Sequence, residues 1–234
     1  MIEISYTKHV VNTMSFSSKV LSIFQRVRST PSLLRQSLPQ MKGKLHSQGN
    51  ILSQGTGNQP TDQEASFAQV AEEEGFQFHE NKAGPPSPGL YYLYQVNGSQ
   101  QSIDFQLFEM GETEKIRHIN LDLKHTTNDV FFLNDGWFYP DVVYLVTWER
   151  RTSEARKKKV TELQTFLALG QDIPTTEESA MMAQMNQLKK TYNNETKGVG
   201  SLCAYIRFAN RYKCDRFTPE YTESCFQKVA RIVT

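Results

Sequence analysis

Residues 102–124 read SIDFQLFEMGETEKIRHINLDLK, two runs of alternating apolar and polar side chains joined by a polar turn. Alternation with a period of two is typical of strands that bury one face. The sequence therefore predicts strands over 102–108 and 115–124, with a turn at 110–115. Strands that follow each other across a short turn usually pair, so we expect these two strands to be neighbours in a sheet.

Further strands and helices are predicted on both sides of this hairpin. LYYLYQV (90–96) and VFFL (130–133) have strand patterns, and DVVYLVTW (141–148) is apolar on both faces, as a central strand is. Helices are predicted over 15–28, from Asp62 to about Glu74, over 152–169 and from about Glu177 to Tyr192. This order favours an α/β (mixed α+β) fold, with a central mixed sheet flanked by helices.

A linker-like segment suggests a division of the chain. Residues 43–61, GKLHSQGNILSQGTGNQPT, are rich in Gly, Ser, Gln and Asn, a composition typical of loops. We therefore expect a basic N-terminal arm and linker over 1–61 and a main domain over 62–234. Within that domain, 62–148 would form the core and 149–234 a basic helical part.

The formal net charge is +1, but the charges are unevenly placed. Residues 1–61 carry seven Lys/Arg and one acid, whereas 62–148 carry four bases and fourteen acids. Residues 149–185 carry six of each sign, and 186–234 carry nine bases and four acids. The total excludes a histone-like tail and a wholly acidic disordered chain. An acidic centre between basic ends suits a protein whose flanks bind a polyanion.

Cysteine usage and hydropathy bear on the cellular compartment. The three cysteines, Cys203, Cys214 and Cys225, lack zinc-site spacing, and their odd number argues against a secreted disulfide scaffold. We therefore expect buried, reduced thiols and a cytoplasmic protein. We also expect no membrane contact, because no window approaches the ~18 apolar residues of a membrane helix. Residues 14–39 are rich in Ser and Arg and contain no acid, so a mitochondrial transit peptide is the alternative to an amphipathic helix.

Two acids lie among apolar residues of the predicted hairpin. Asp122 and Lys124 share one strand face because side chains alternate, and pairing of the two strands would bring Asp104 to the same edge. Paired carboxylates suit the hard cation Mg²⁺, and a lysine beside them can orient a water or stabilise transition-state charge. The pattern therefore predicts a site for phosphodiester hydrolysis.

A different interpretation of the same residues gives them no catalytic role. Asp122 and Lys124 would then be a solvated pair on an edge strand. Asp104 would lie opposite Lys124 in a cross-strand ion pair. The sequence alone leaves both interpretations open.

The spacing of these residues resembles that of a known nuclease motif. Asp104, seventeen intervening residues and then Asp122-Leu123-Lys124 are similar to the PD-(D/E)xK motif in its D…DxK form, although Ile103 stands where the motif has Pro. The run FFLNDGWFYPDVVYLVTW (131–148) resembles the segment that comes after the motif in several type II restriction endonucleases. The resemblance covers roughly residues 62–148.

This resemblance implies a restriction-endonuclease-like core and Mg²⁺-dependent cleavage of double-stranded DNA at a specific short sequence, usually by a homodimer. It implies that Asp104 and Asp122 bind the metal and that Lys124 acts on the water and the transition state. The family often adds a carboxylate from the preceding helix. Glu74 is the candidate for that role and Glu80 its rival.

Basic residues after the strands are candidates for DNA binding, because Lys and Arg neutralise phosphates while Arg and Asn can read bases. The candidates are Arg150, Arg151, Lys157, Lys158, Arg207, Asn210, Arg211, Lys213 and Arg216. For 150–159, a solvated helix face is the alternative. Two other functions stay open at this point: a non-catalytic nucleic-acid-binding protein, and an organelle-imported structural or interaction protein.

Overall fold

The computed structural model describes residues 15–48, 59–80, 86–96, 103–127, 129–133, 139–152, 159–196 and 210–233. The helices are α1 (Phe16–Ser29), α2 (Pro39–Gln48), α3 (Asp62–Glu73), α4 (Thr176–Thr196) and α5 (Pro219–Val233). The strands are β1 (Gln77–Phe78), β2 (Gly89–Tyr94), β3 (Phe105–Met110), β4 (Lys115–Thr126), β5 (Val130–Leu133), β6 (Val142–Thr152), β7 (Lys159–Leu169) and β8 (Asn210–Lys213). The predicted α/β class, with a mixed sheet flanked by helices, is confirmed.

Six strands form the main sheet, in the order β1-β2-β3-β4-β6-β7, and β5 pairs with β8 in a separate ribbon. β2, β3 and β4 form an antiparallel meander, in which Phe105 faces Leu121 as the predicted hairpin requires. β6 lies parallel to β4, and β7 is antiparallel to β6. β4 is therefore an inner strand, which contradicts the interpretation of Asp122 and Lys124 as a solvated pair on an edge strand.

Helix α3 packs on one face of this sheet and begins at a capping box. The Thr61 hydroxyl accepts from the backbone N–H of Glu64, and the Glu64 carboxylate accepts from the backbone N–H of Thr61. Phe67 lies on the buried side of the helix and its ring contacts that of Phe105 on β3. Gly75, whose φ of +92° suits glycine, follows the end of the helix. The cap thus fixes where the first turn of α3 meets the sheet.

The segment predicted as an N-terminal arm belongs in part to the main core. Val20, Phe24 and Val27, which share one face of α1, are fully buried in the same hydrophobic cluster as α3 and the sheet. Leu45 of α2 lies in that cluster as well. The boundary at residue 61 is therefore corrected, because the apolar face of α1 is buried by the main domain.

Charges of this segment are also satisfied within the chain. Arg26 of α1 contacts Glu73 at 2.5 Å and Glu74 at 2.8 Å. Lys42 of α2 contacts Asp62 at 2.7 Å. The basic start of the chain thus neutralises part of the acidic centre.

The predicted helix over 152–169 is wrong, since 159–169 form strand β7. Leu167 and Leu169 join the core beneath α1 and α3, whereas Phe166 and Ala168 join a second cluster on the other face. Both faces of this strand are apolar at its end, so the sequence there lacks the alternation of apolar and polar side chains that indicates a strand. Of the part predicted as basic and helical, residues 149–152 and 159–169 are therefore strand, and the predicted helix α4 follows.

Two smaller expectations can be compared with the structure. Cys214 and Cys225 are buried free thiols, as predicted, and Cys203 lies outside the described residues. None of the helices in the described ranges combines the length and the apolar character needed to cross a bilayer.

Candidate active site

Backbone hydrogen bonds fix Asp104 beside β4. Its N–H donates to the carbonyl of Leu121 at 2.9 Å, which continues the ladder of the β3–β4 pair by one residue. Its carboxylate then accepts from the backbone N–H of Leu123 at 2.8 Å. Asp122 lies between these two leucines, so the register of the hairpin brings the carboxylates of Asp104 and Asp122 together, as the sequence predicted.

Asp122 is fully buried on the inner strand β4. Its Oδ1 accepts from Lys124 Nζ at 2.6 Å, which is the same-face contact expected for residues two apart. Its Oδ2 is also buried and accepts no hydrogen bond from an N–H or hydroxyl donor of the described residues, while the neighbouring Asp104 carboxyl, when protonated, can donate to the Asp122 carboxylate. About a quarter of the Lys124 side chain is exposed (27%), so the ammonium lies between solvent and the two acids.

The electrostatics of the pair favour a cation. Burial, and then the neighbouring Asp122 carboxylate, raises the pKa of Asp104 to about 8, although Lys124 opposes the shift. Burial likewise raises the pKa of Asp122 against the effect of Lys124. A buried carboxylate is stable in its charged form when a positive charge or metal compensates it. The two adjoining carboxylates are oxygen donors of the kind that Mg²⁺ prefers, and Asp122 Oδ2 accepts no hydrogen bond from an N–H or hydroxyl of the described residues.

A third carboxylate, Glu64 of α3, lies near the pair. Burial, and then the charge of Asp104, raises the pKa of Glu64, and Glu64 in turn contributes to the raised pKa of Asp122. Glu64 Oε1 accepts from the Tyr94 hydroxyl at 3.0 Å, and Oε2 accepts from the Thr61 N–H at 2.5 Å. Glu64 is therefore held in place next to two other acids.

Glu64 was missed by the sequence reasoning, which extended the buried face of α3 toward its C-terminus. The available signal was the capping box at 61–64, which places the glutamate at the helix end that meets the sheet. No group of three His, Cys, Asp or Glu side chains within the described ranges is arranged to hold a metal together. Glu64 is thus a charge beside the aspartate pair rather than a third direct ligand in this arrangement.

The carboxylate that the sequence nominated, Glu74, lies elsewhere. It follows α3 at the opposite end from Glu64, about 15 Å along the helix axis at 1.5 Å per residue. There it pairs with Arg26 at 2.8 Å. The structure therefore does not bring Glu74 to the aspartate pair. Its rival Glu80 is an exposed residue beyond β1.

Gln63, the residue before Glu64, ties the first turn of α3 to the strand that carries Asp122 and Lys124. Its side-chain Nε2 donates to the Lys124 carbonyl at 3.2 Å and to Thr147 Oγ1 at 3.1 Å. Helix and strand are thereby linked at the level of the lysine. The position of Glu64 relative to the pair is fixed by this link as well as by its own hydrogen bonds.

The predicted DNA-binding residues on β6 lie toward the same end of the sheet as the acids. Lys124 is in register with Val146, and Arg150 lies four residues further on, about 13 Å along the strand. Arg150 is exposed, contacts Glu162 at 3.7 Å and stacks near the Trp148 ring. Arg151 follows it on β6.

The other predicted DNA-binding residues have varied positions. Asn210, Arg211 and Lys213 lie on β8, which pairs with β5, the strand that follows β4 in the chain. Arg216 donates to the carbonyl of Ile173 at 3.2 Å and contacts Glu178 at 3.4 Å. Lys157, Lys158 and Arg207 lie outside the described residues.

Comparisons with protein-family models, with curated proteins and with solved structures each find no match to this chain. The function must therefore be argued from the geometry of the site. That geometry consists of two adjoining carboxylates, the fully buried Asp122 and the half-buried Asp104, a lysine bonded to Asp122 and a glutamate held nearby.

Proposed function

We propose that this protein is a Mg²⁺-dependent endonuclease that hydrolyses double-stranded DNA at a specific short sequence, in the manner of type II restriction endonucleases. The observation that carries the proposal is the Asp104–Asp122 pair with Lys124 Nζ at 2.6 Å from Asp122. Asp122 Oδ2 accepts no hydrogen bond from an N–H or hydroxyl within the part of the chain that the structure describes. Two adjoining acids, one fully buried and one half-buried, with a single lysine form a costly arrangement when both are ionised, unless a cation joins them.

Each residue of the site has a distinct part in this proposal. Asp104 and Asp122 would hold the Mg²⁺, which, when bound, supplies polarisation of a phosphoryl oxygen and stabilisation of the charge that develops on it. Lys124 is oriented by Asp122 and reaches solvent, so its ammonium can orient the attacking water or donate to a phosphate oxygen in the transition state. Glu64 adds negative charge that favours the cation.

DNA would approach the end of the sheet where β4 and β6 finish. Arg150 on β6 and Lys213 on β8 provide basic side chains there for phosphate contact. The proposed active unit is a homodimer, because a two-fold axis presents one site to each strand of the duplex. Salt should weaken DNA binding, as expected for contacts to phosphates.

The proposal is tested by incubating the purified protein with plasmid DNA in Mg²⁺ and in EDTA. Discrete fragments should form with Mg²⁺ and not with EDTA. Asp122→Ala and Lys124→Ala should each abolish cleavage while retaining DNA binding in a mobility-shift assay. Asp172→Ala is a matched control, because Asp172 also forms an ion pair with a lysine, Lys228, at 2.9 Å.

Unchanged cleavage in the Asp122→Ala or Lys124→Ala protein would overturn the site assignment. Fragments that form equally in EDTA would overturn the metal dependence. Binding without cleavage by the wild-type protein would favour a non-catalytic nucleic-acid-binding protein instead.

A further inference from the structure

Two tyrosines of β2 make equivalent contacts with two glutamates of α3. The Tyr92 hydroxyl donates to Glu72 at 2.7 Å, and the Tyr94 hydroxyl donates to Glu64 at 3.0 Å. Both tyrosines are almost completely buried, at 0% and 1% exposure. The surroundings of the two glutamates differ, since Glu72 pairs with Lys44 whereas Glu64 adjoins the aspartate pair.

The next residue, Gln95, forms a hydrogen bond with the Tyr94 hydroxyl. Its side-chain Nε2 donates to the Tyr94 hydroxyl at 3.0 Å, and its backbone N–H donates to the carbonyl of Asp104 at 2.7 Å. One buried residue thus contacts both the tyrosine that holds Glu64 and the segment that carries Asp104.

Gln95 makes these contacts from a strained backbone conformation. Its φ is +51°, in the left-handed region that favours glycine and is unusual for a residue with a long side chain. Such strain persists where surrounding contacts require it, and it is concentrated at functional sites. A glycine would fit the backbone but could not donate to Tyr94.

We propose that Tyr94 and Gln95 are positioning residues that fix Glu64 as a third negative charge beside Asp104 and Asp122, and thereby set the affinity of the aspartate pair for a divalent cation. The inference rests on the proposed function, because it takes the pair to be a metal site. A glutamate side chain has several rotamers, and Glu64 is held in its rotamer by the Tyr94 hydroxyl at Oε1 together with the Thr61 N–H at Oε2. Outer partners of this kind commonly change metal affinity when they are removed.

The test is calorimetric titration of the DNA-free protein with MnCl₂, comparing Tyr94→Phe with Tyr92→Phe. Each change removes one buried hydroxyl and its hydrogen bond to a glutamate of α3 while keeping the ring, and Tyr94→Phe also removes the hydrogen bond from Gln95. Tyr94→Phe should weaken Mn²⁺ binding about 10-fold, and Tyr92→Phe should leave it unchanged. Thermal melting in EDTA should fall in both variants, so a general loss of packing predicts weaker Mn²⁺ binding in Tyr92→Phe as well as in Tyr94→Phe.

Gln95→Gly provides a second variant in which structure and positioning separate. Glycine relieves the strained backbone, so melting in EDTA should be unchanged or higher. Loss of the amide should nevertheless weaken Mn²⁺ binding. A merely structural role for Gln95 predicts that binding and stability change together.

Asp122→Asn distinguishes failure of this inference from failure of the proposed function. If wild-type protein binds no Mn²⁺, or binds it equally well after Asp122→Asn, the metal site itself is refuted. If Asp122→Asn abolishes binding but Tyr94→Phe and Gln95→Gly bind Mn²⁺ like the wild type, the positioning role alone is refuted.

Discussion

The two ends of α3 hold glutamates in opposite surroundings. At the N-terminal end, burial and the charge of Asp104 raise the pKa of Glu64. At the C-terminal end, Glu73 accepts from Arg26 at 2.5 Å, and this hydrogen bond lowers its pKa. The residue type and the helix are the same, so the difference comes from the neighbours. An acid grouped with acids is the one to examine for cation binding, whereas an acid paired with a base already has its counterion.

The largest expected effect comes from neutralising the acid at the N-terminal end. Glu64→Gln removes the charge but has one acceptor oxygen in place of two, so it can keep either the capping-box bond from the Thr61 N–H or the bond from the Tyr94 hydroxyl. Loss of the charge should weaken Mg²⁺ or Mn²⁺ binding by about 10- to 100-fold. DNA cleavage at limiting Mg²⁺ should fall with it and recover in part at high Mg²⁺. Calorimetry and a plasmid assay over a Mg²⁺ series measure the two quantities.

Glu74→Gln is the control from the other end of the helix. Glu74 contacts Arg26 and lies away from the aspartate pair. Its neutralisation should leave metal affinity and cleavage unchanged. Equal losses in Glu64→Gln and Glu74→Gln would show that the contrast between the two ends has no functional meaning.

The same contrast shows which parts of the molecule the sequence could predict. The hairpin that joins Asp104 to Asp122 is local, and alternation over 102–124 correctly predicted its strands and their pairing. The contact between Asp122 and Lys124 is local as well. These features depend on residues close in sequence, where periodicity is informative.

Features that depend on distant partners were harder to predict. Glu64 and Glu74 are both acids on the same helix, and their roles are decided by Asp104 and by Arg26, which lie far from them in the chain. Helix α1 was assigned to an arm because a polar linker follows it, although its apolar face completes the main core. In β7, burial of both faces removed the alternation that marks a strand.

A smaller effect is expected in the pH dependence of stability at the N-terminal end. The pKa of Asp104 is raised to about 8 in the folded protein, whereas the pKa of an aspartate in an unfolded chain is about 4. Between these values the metal-free folded state binds more protons than the unfolded state. Its free energy of unfolding therefore falls as pH rises through this range. In EDTA the ionisation of Asp104 should lower the melting temperature by several degrees at about pH 8 relative to about pH 5.

Asp104→Asn should remove this penalty, so the variant should melt higher than wild type at the alkaline end and close to it at the acidic end. Mg²⁺ should stabilise wild-type protein most at the alkaline end, where the pair is ionised. Thermal melts at both pH values, with EDTA and with Mg²⁺, provide the measurement. A pH dependence that is identical in wild type and Asp104→Asn would contradict the assignment of the raised pKa to this pair.

The smallest effect is expected for Arg26→Met, which removes the base at the C-terminal end. Arg26 and Glu73 are both partly exposed, at 34% and 44%, so solvent screens their attraction. The loss should be about 1 kcal/mol or less, or roughly 2–4 °C in melting temperature. Because the pKa of Glu73 is lowered in the folded state, this stabilisation is present above the pKa of an unfolded glutamate, about 4.3. It is lost as pH falls below that value, so Arg26→Met and wild type should converge in urea unfolding in acid.

The Mn²⁺ affinity of Arg26→Met should not change. If Arg26→Met weakened Mn²⁺ binding as strongly as Glu64→Gln, the ends of α3 would be coupled through the helix, and the partner of each acid would not decide its role independently.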